Sequence, residues 1–408
     1  MSALFRLALL SAWNRSLSLG LTVLAVLMAS TLLLSVERIR HAARDGFAQS
    51  VSGTDLIVGA RSNPLQLVLY SVFHLGEPTR MMSWASYRKI AENPAVAWSV
   101  PLALGDSHHG YPVLGTTSAY FGLYRYGDRQ ALKLAEGRVF SGVFEAVIGA
   151  ELAAKLGYRP GMEIELSHGD GEAHGMNHDD KPFVVVGILA PTGTAVDRTV
   201  HVELAAIEAI HLDWVGGVPM PGFSIKPEMV GKFDLTPKAI SACLVGLHQR
   251  AGVFKLQRQI NDFPDEALTA VMPGMALDQL WQTVGVAERA LQALSWLVLA
   301  VGLAGLMAVM LAGLSERRRE MAILRSVGAG PRHILGLLML ESFSVSALGS
   351  LLGLGTVTLF ALLAGDQLAV YGVGALPVTV DRSEMQLLGL VLVCGQVGAW
   401  KTTTLAAF

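Results

Sequence analysis

Apolar and polar positions divide this chain into four long uncharged runs and the mixed stretches between them. Residues 16–36 make 21 positions without a charge, 290–315 make 26, 342–365 make 24 and 385–400 make 16. At a rise of about 1.5 Å per residue, a 21-residue helix matches the roughly 30 Å hydrocarbon core of a bilayer. The pattern predicts membrane helices over 16–36, 290–315 and 334–365, and a short fourth over 385–400. A cleaved signal peptide is the rival reading of the first run. Its apolar part is normally about 7–15 residues, whereas this run is longer and continues into Glu37-Arg38-Ile39-Arg40.

Helical spacing carries on past the first run through Val36, Ile39, Ala43, Phe47 and Val51. That predicts a stalk over 37–53, closed by Gly53. Leu280, Trp281, Val284 and Leu291 repeat the period on the way back, giving a second stalk over 276–289. Residues 1–15 alternate Leu4, Phe5, Leu7 and Ala8 with Arg6 and Arg15 around Trp13, as an interfacial helix would.

Residues 54–275 read as one large mixed α/β domain. Strands are predicted over 55–58, 96–102, 146–148 and 239–247, with 162–166 and 183–189 as a hairpin with a long connection. Helices are predicted over 83–91, 150–156 (stopped by Gly157) and 253–261. Pro219, Pro221, Gly222 and Pro227 mark a long loop. The fold class is therefore an α-helical membrane protein with four transmembrane helices and a large mixed α/β extracytoplasmic domain inserted between helices 1 and 2.

Composition agrees: 52% of residues are hydrophobic and 16% charged, against about 25% charged in an ordinary soluble domain. Mean hydropathy is +0.47. The net charge of -2 gives no case for nucleic acid, and Cys243 and Cys394 are too few for a disulfide framework or a cysteine-based zinc site. Charge sets the orientation. Arg6, Arg15, five arginines between 317 and 332, and Lys401 all fall on one side of a four-span path. By the positive-inside tendency that side, with both termini, is cytoplasmic. The domain and a short loop over 366–384 lie opposite.

Chemistry-bearing motifs are few. No Gly-x-x-x-x-Gly-Lys-Ser/Thr run occurs, so the chain has no phosphate-cradling loop of its own. No nucleophile elbow, metallopeptidase helix or paired-Cys motif frames its Ser, His and Asp residues. The four uncharged runs offer no proton relay. Residues 168–180 are denser: His168, Asp170, Glu172, His174 and His178 lie together, followed by Asp179 and Asp180, and His108-His109 form a smaller group. Short His-rich tracts with carboxylates bind zinc or related metals. A solvated Gly-rich hairpin loop is the plainer reading of the same residues.

Between the second and third spans runs Glu316-Arg317-Arg318-Arg319-Glu320-Met321-Ala322-Ile323-Leu324-Arg325-Ser326-Val327-Gly328-Ala329-Gly330-Pro331. With the four-span layout, this stretch resembles the cytoplasmic coupling helix of the MacB/FtsX-type permeases of ATP-binding-cassette (ABC) transporters, a family that also holds the lipoprotein-release permeases. Val147-Ile148-Gly149-Ala150-Glu151-Leu152-Ala153, Leu156-Gly157, Pro160-Gly161 and 184–189 are similar to the family's periplasmic core domain. Residues 53–59 resemble the family's segment after the first span.

The resemblance implies a bacterial inner-membrane permease without catalytic residues. It would pair with itself or a related permease, sit in membrane lipid and take ATP-driven motion from a separate ABC ATPase. It would act on a periplasmic substrate or partner protein. The implied docking residues are Arg317, Glu320, Met321, Leu324, Arg325, Gly328 and Ala329. Met321, Leu324 and Val327 can fill an apolar groove while Arg317, Glu320 and Arg325 bond its rim. The same stretch also reads as a basic loop that only fixes topology. Members of the family have a fuller last span and a longer basic tail than 385–408. A metal-responsive, zinc-linked receptor or transport component using the His-rich loop is the alternative function.

Overall fold

The computed structural model describes residues 16–50, 52–168, 180–215, 218–220, 224–316, 326, 330–369 and 378–407. Two units divide the chain: Met1–Arg44 with Val284–Phe408, and Asp45–Thr283. The amphipathic segment predicted at 1–15 and the docking residues Arg317, Glu320, Met321, Leu324, Arg325, Gly328 and Ala329 lie outside the described residues.

Asp45–Thr283 is built on an 11-stranded mixed sheet. Its strands are β1 (Leu56–Ala60), β2 (Val96–His108), β3 (Tyr111–Thr116), β4 (Leu134–Gly137), β5 (Glu145–Ile148), β6 (Glu163–Ile164), β7 (Ser167–His168), β8 (Phe183–Leu189), β9 (Val200–Glu203), β10 (Ala242–Leu247) and β11 (Leu268–Val271). The order across the sheet is β11-β1-β10-β2-β3-β9-β5-β8-β4, with β7 added to β2 and β6 to β8. β9 runs parallel to β3, and β8 parallel to β5; the other pairs of the sheet are antiparallel.

Why β1 and β10 are continuous apolar runs follows from what covers them. Ile57, Ala242 and Leu244 enter one core with Leu67, Tyr70 and Leu102. Leu56, Val58, Cys243 and Val245, on the opposite face, enter a second core with Ile90, Leu256 and Ile260. Side chains alternate faces along a strand, so a strand covered on both faces needs no polar positions. Around β5, β8 and β9 a third core gathers Ile148, Leu152, Phe183, Val185 and Val202.

Several predicted bounds shift. The helix over 83–91 is Trp84–Ala91, with the Ser83 hydroxyl capping it through the Ser86 N–H. Helices Ala150–Leu156 and Val253–Asn261 match their predicted limits, and Gly157 ends the first in the left-handed region at φ 71°. β1 starts at Leu56, and the Asp55 carboxylate just before it accepts the Leu247 N–H. The strand predicted over 239–247 is two. Ala239–Ile240 pairs with Met82–Ser83 and β10 joins the main sheet, while Ser241 between them bonds Leu104 through its hydroxyl. The predicted hairpin is also redirected. Only β6 pairs with β8, after which β7 leaves to pair with β2, anchored by the fully buried Leu166.

The other unit is helical, with α1 (Ser16–Gln49), α2 (Pro273–Glu316), α3 (Pro331–Ala369) and α4 (Arg382–Ala407). The outer ends of α1 and α2 belong to the sheet unit. Among the described residues, Leu19–Ala42 and Leu335–Ala364 are long and apolar enough to cross a membrane. Only 33% and 28% of these windows are buried, so they present apolar surface outward, unlike the core helix of a soluble protein. Small residues let the helices approach. A Cβ on Gly349 would meet Val26, and one on Gly353 would meet Ser30, the close packing used where lipid supplies no hydrophobic drive. Val26, Ala29 and Leu33 pack with Leu299 and Val391.

Within the charged run at 37–40, on the predicted stalk, Arg38 is 2% exposed. Its guanidinium forms a bidentate pair with Glu384, with Nη2 to Oε2 at 3.1 Å, and also donates to Thr358. Burial of a charge is tolerated because the opposite charge is buried with it.

Candidate metal centre

A β-bulge creates the first ligand position. Gly105 takes φ 149°, and the register between β2 and β3 slips between Leu104 and Asp106. A bulge re-aims the side chain that follows it. Asp106, its side chain only 3% exposed, sits directly across from His168 in the antiparallel β2–β7 register. His211 arrives from elsewhere. It caps the helix Leu204–Ile210, whose Ala206 and Ile210 are buried against the sheet.

The donor atoms converge. His168 Nδ1 is 3.1 Å from Asp106 Oδ1, His211 Nε2 is 3.3 Å from His168 Nδ1, and His211 Nε2 is 3.8 Å from Asp106 Oδ1. The Asp106 carboxylate beside it raises the His168 pKa above the ordinary imidazole range. His211 Nδ1 lies 2.7 Å from the Ile207 carbonyl. A carbonyl only accepts, so Nδ1 carries the proton and Nε2 turns its lone pair to the other two donors. This is the arrangement that orients metal-binding imidazoles. Trp214 walls the site, its ring 5.7 Å from that of His168 and 5.5 Å from that of His211.

Of the predicted metal residues, His168 is therefore in a converged cluster, while Asp170, Glu172, His174 and His178 lie outside the described residues. Asp106 and His211 are not residues that the sequence singles out. The signal for Asp106 is Gly105-Asp106 interrupting an apolar strand; His211 carries none, since it follows a helix that the pattern does not predict. The smaller group does other work. His108 sits between the Glu165 carbonyl at 2.6 Å and the Tyr158 hydroxyl at 2.9 Å, and burial lowers its pKa.

Other titratable groups of this unit are buried elsewhere. Lys181, fully buried, places Nζ 2.7 and 2.8 Å from the two Asp213 carboxylate oxygens. Burial opposes ionisation of Asp213, but Lys181 and the Ile225 N–H more than offset it and hold the carboxyl below its ordinary range. His74 and His201 are buried apart from the cluster. Burial holds the first at about 4; burial, with His74 beside it, holds the second at about 3.

Comparison with known proteins adds the wider context. The FtsX-like permease C-terminal family matches residues 293–402, and the MacB-like periplasmic core domain matches residues 18–218. The macrolide export ATP-binding/permease protein MacB of Azoarcus sp. (strain BH72) is 26% identical over 366 residues, covering 84% of this chain and 50% of the relative. Macrolide export ATP-binding/permease protein MacB 1/2 of Paracoccus denitrificans (strain Pd 1222) is 23% identical over 382 residues, covering 90% and 52%. The chain spans about half the length of these curated relatives. The crystal structure of the periplasmic region of MacB from Actinobacillus actinomycetemcomitans aligns at 10% identity and a TM-score of 0.34, covering 58% of this chain and 94% of that one.

Proposed function

This chain belongs to the MacB/FtsX-type family of ABC transporter permeases, and we propose that it is a membrane subunit driven by a partner ATPase. One observation carries the reading. The FtsX-like match over 293–402 encloses the arginine-rich stretch between α2, ending at Glu316, and α3, starting at Pro331. In this reading the ATP binding named in the relatives is supplied by that partner. In this reading α1 to α4 all span a bacterial inner membrane, with both termini and 316–333 cytoplasmic. Arg317, Glu320, Met321, Leu324, Arg325, Gly328 and Ala329 dock into the ATPase. Two copies, or this chain with a related permease, pair in the membrane. ATP-driven movement of 316–333 passes through the spans to the periplasmic domain, which works on a periplasmic substrate or partner. The subunit itself catalyses nothing.

Affinity purification of the tagged full-length chain from its own host tests this. An ABC ATPase is expected to copurify with the wild type and to be lost on Arg325→Glu or Met321→Asp, with membrane levels unchanged. Recovery of the ATPase with both variants, or its absence from the wild type, refutes docking at 316–331. A protease-accessible C-terminal tag on the periplasmic side refutes the four-span path.

A further inference from the structure

We propose that Asp106, His168 and His211 bind one divalent transition-metal ion, zinc being the ion that their donor set suits best. The site goes beyond the permease reading and does not depend on it.

The three donor atoms form a triangle with edges of 3.1, 3.3 and 3.8 Å. Its circumcentre lies about 2.0 Å from all three atoms, the length of a zinc–nitrogen or zinc–carboxylate bond. In a tetrahedral zinc site with such bonds, ligand atoms stand about 3.3 Å apart. The triangle therefore closes on zinc with little side-chain movement. Its donors meet the chemistry as well. Two imidazoles and one carboxylate suit zinc and its first-row neighbours, whereas magnesium and calcium prefer oxygen ligands throughout.

The supporting structure is in place. The His211 proton is held on Nδ1 by the Ile207 carbonyl, and Asp106 is buried on the strand opposite His168. The His168 and His211 side chains are 37% and 26% exposed, so an ion reaches them from solvent. A bound ion ties His168 on β7 to His211 at the C-terminus of the helix Leu204–Ile210.

Zinc chloride titrated into the metal-stripped full-length protein in nanodiscs, against a chromophoric chelator and with tryptophan emission followed in parallel, tests the site. One equivalent is expected to bind and to change the emission through Trp214. His168→Gln and His211→Gln should each weaken binding by at least about tenfold, by analogy with the loss caused by removing groups that merely support a metal ligand. Both keep the ring volume roughly filled, and unchanged thermal unfolding of the metal-free variants confirms their fold. His248→Ala, at an exposed position, should leave binding intact. No binding at micromolar zinc, or binding that survives both His→Gln variants, overturns the proposal.

Discussion

Acid should loosen the sheet unit through two buried histidines. His201 lies on β9 with no exposure. Its Nδ1 donates to the Val147 carbonyl at 3.2 Å, and Nε2 is buried with no hydrogen-bond partner among the described residues. His74 is also buried, its Nδ1 2.8 Å from the Thr199 hydroxyl. Burial lowers both from an ordinary 6.5, to about 3 for His201 and about 4 for His74. As pH falls below 6.5, the unfolded chain takes up these protons and the folded chain does not. The stabilisation present above pH 6.5 is therefore lost progressively down to about pH 4 and pH 3. At about 1.36 kcal/mol per pH unit, each histidine costs about 2 kcal/mol between pH 7.5 and pH 5, and the pair about 4 kcal/mol. That is a large share of a typical domain stability of about 5–15 kcal/mol. Hydrogen-exchange mass spectrometry on the full-length protein, corrected for intrinsic exchange, reads the opening free energy of peptides covering β5 and β9. His201→Leu should remove about half of the acid-induced loss. Comparing the two slopes cancels the other titrating groups. Equal slopes in wild type and variant, or protection that does not change with pH, would refute the reasoning.

Two other predictions concern packing and the buried ion pair. Arg38→Met leaves Glu384 buried without its partner and should cost about 3–5 kcal/mol in thermal unfolding of the purified protein, while Arg38→Met/Glu384→Leu should recover most of it; equal loss in both variants would mean the pair is not coupled. Gly149→Ala puts a methyl 2.3 Å from the Val196 and Asp197 backbone oxygens, contacts that no rotamer relieves. It should destabilise by about 3 kcal/mol, read as faster proteolysis between 145 and 203.

Gly149 shows how a sequence resemblance acquires a physical reason. Val147-Ile148-Gly149-Ala150-Glu151 resembles a family segment by its residues alone. In the fold, Gly149 joins β5 to the helix Ala150–Leu156 where the backbone of Val196 and Asp197 crosses it too closely for a side chain. Elements with a strong local signal are legible to the residue. Ala150–Leu156 has its Gly stop, Val253–Asn261 buries Leu256 and Ile260 on one face, and Phe183–Leu189 alternates buried and half-buried positions. The strands β3, β4, β9 and β11 and the helix Leu204–Ile210 escape the pattern, because short apolar segments do not announce their period.

The linear sequence by itself determined the class of protein. Apolar runs of membrane length, one large polar insertion and an arginine-rich stretch between two of the runs are properties of consecutive residues, as is the family resemblance of 316–329. Tertiary structure alone decided which distant residues meet. Asp106 faces His168 across a strand pair made after the chain has passed through four other strands of the sheet. His211 reaches both only because its helix packs on the same sheet, and Arg38 finds Glu384 from the far end of the sequence. Local pattern fixes what a segment is, since it depends on side chains one helical turn or one pleat apart. Partnership across the sequence depends on sheet register and helix packing, which many segments settle together.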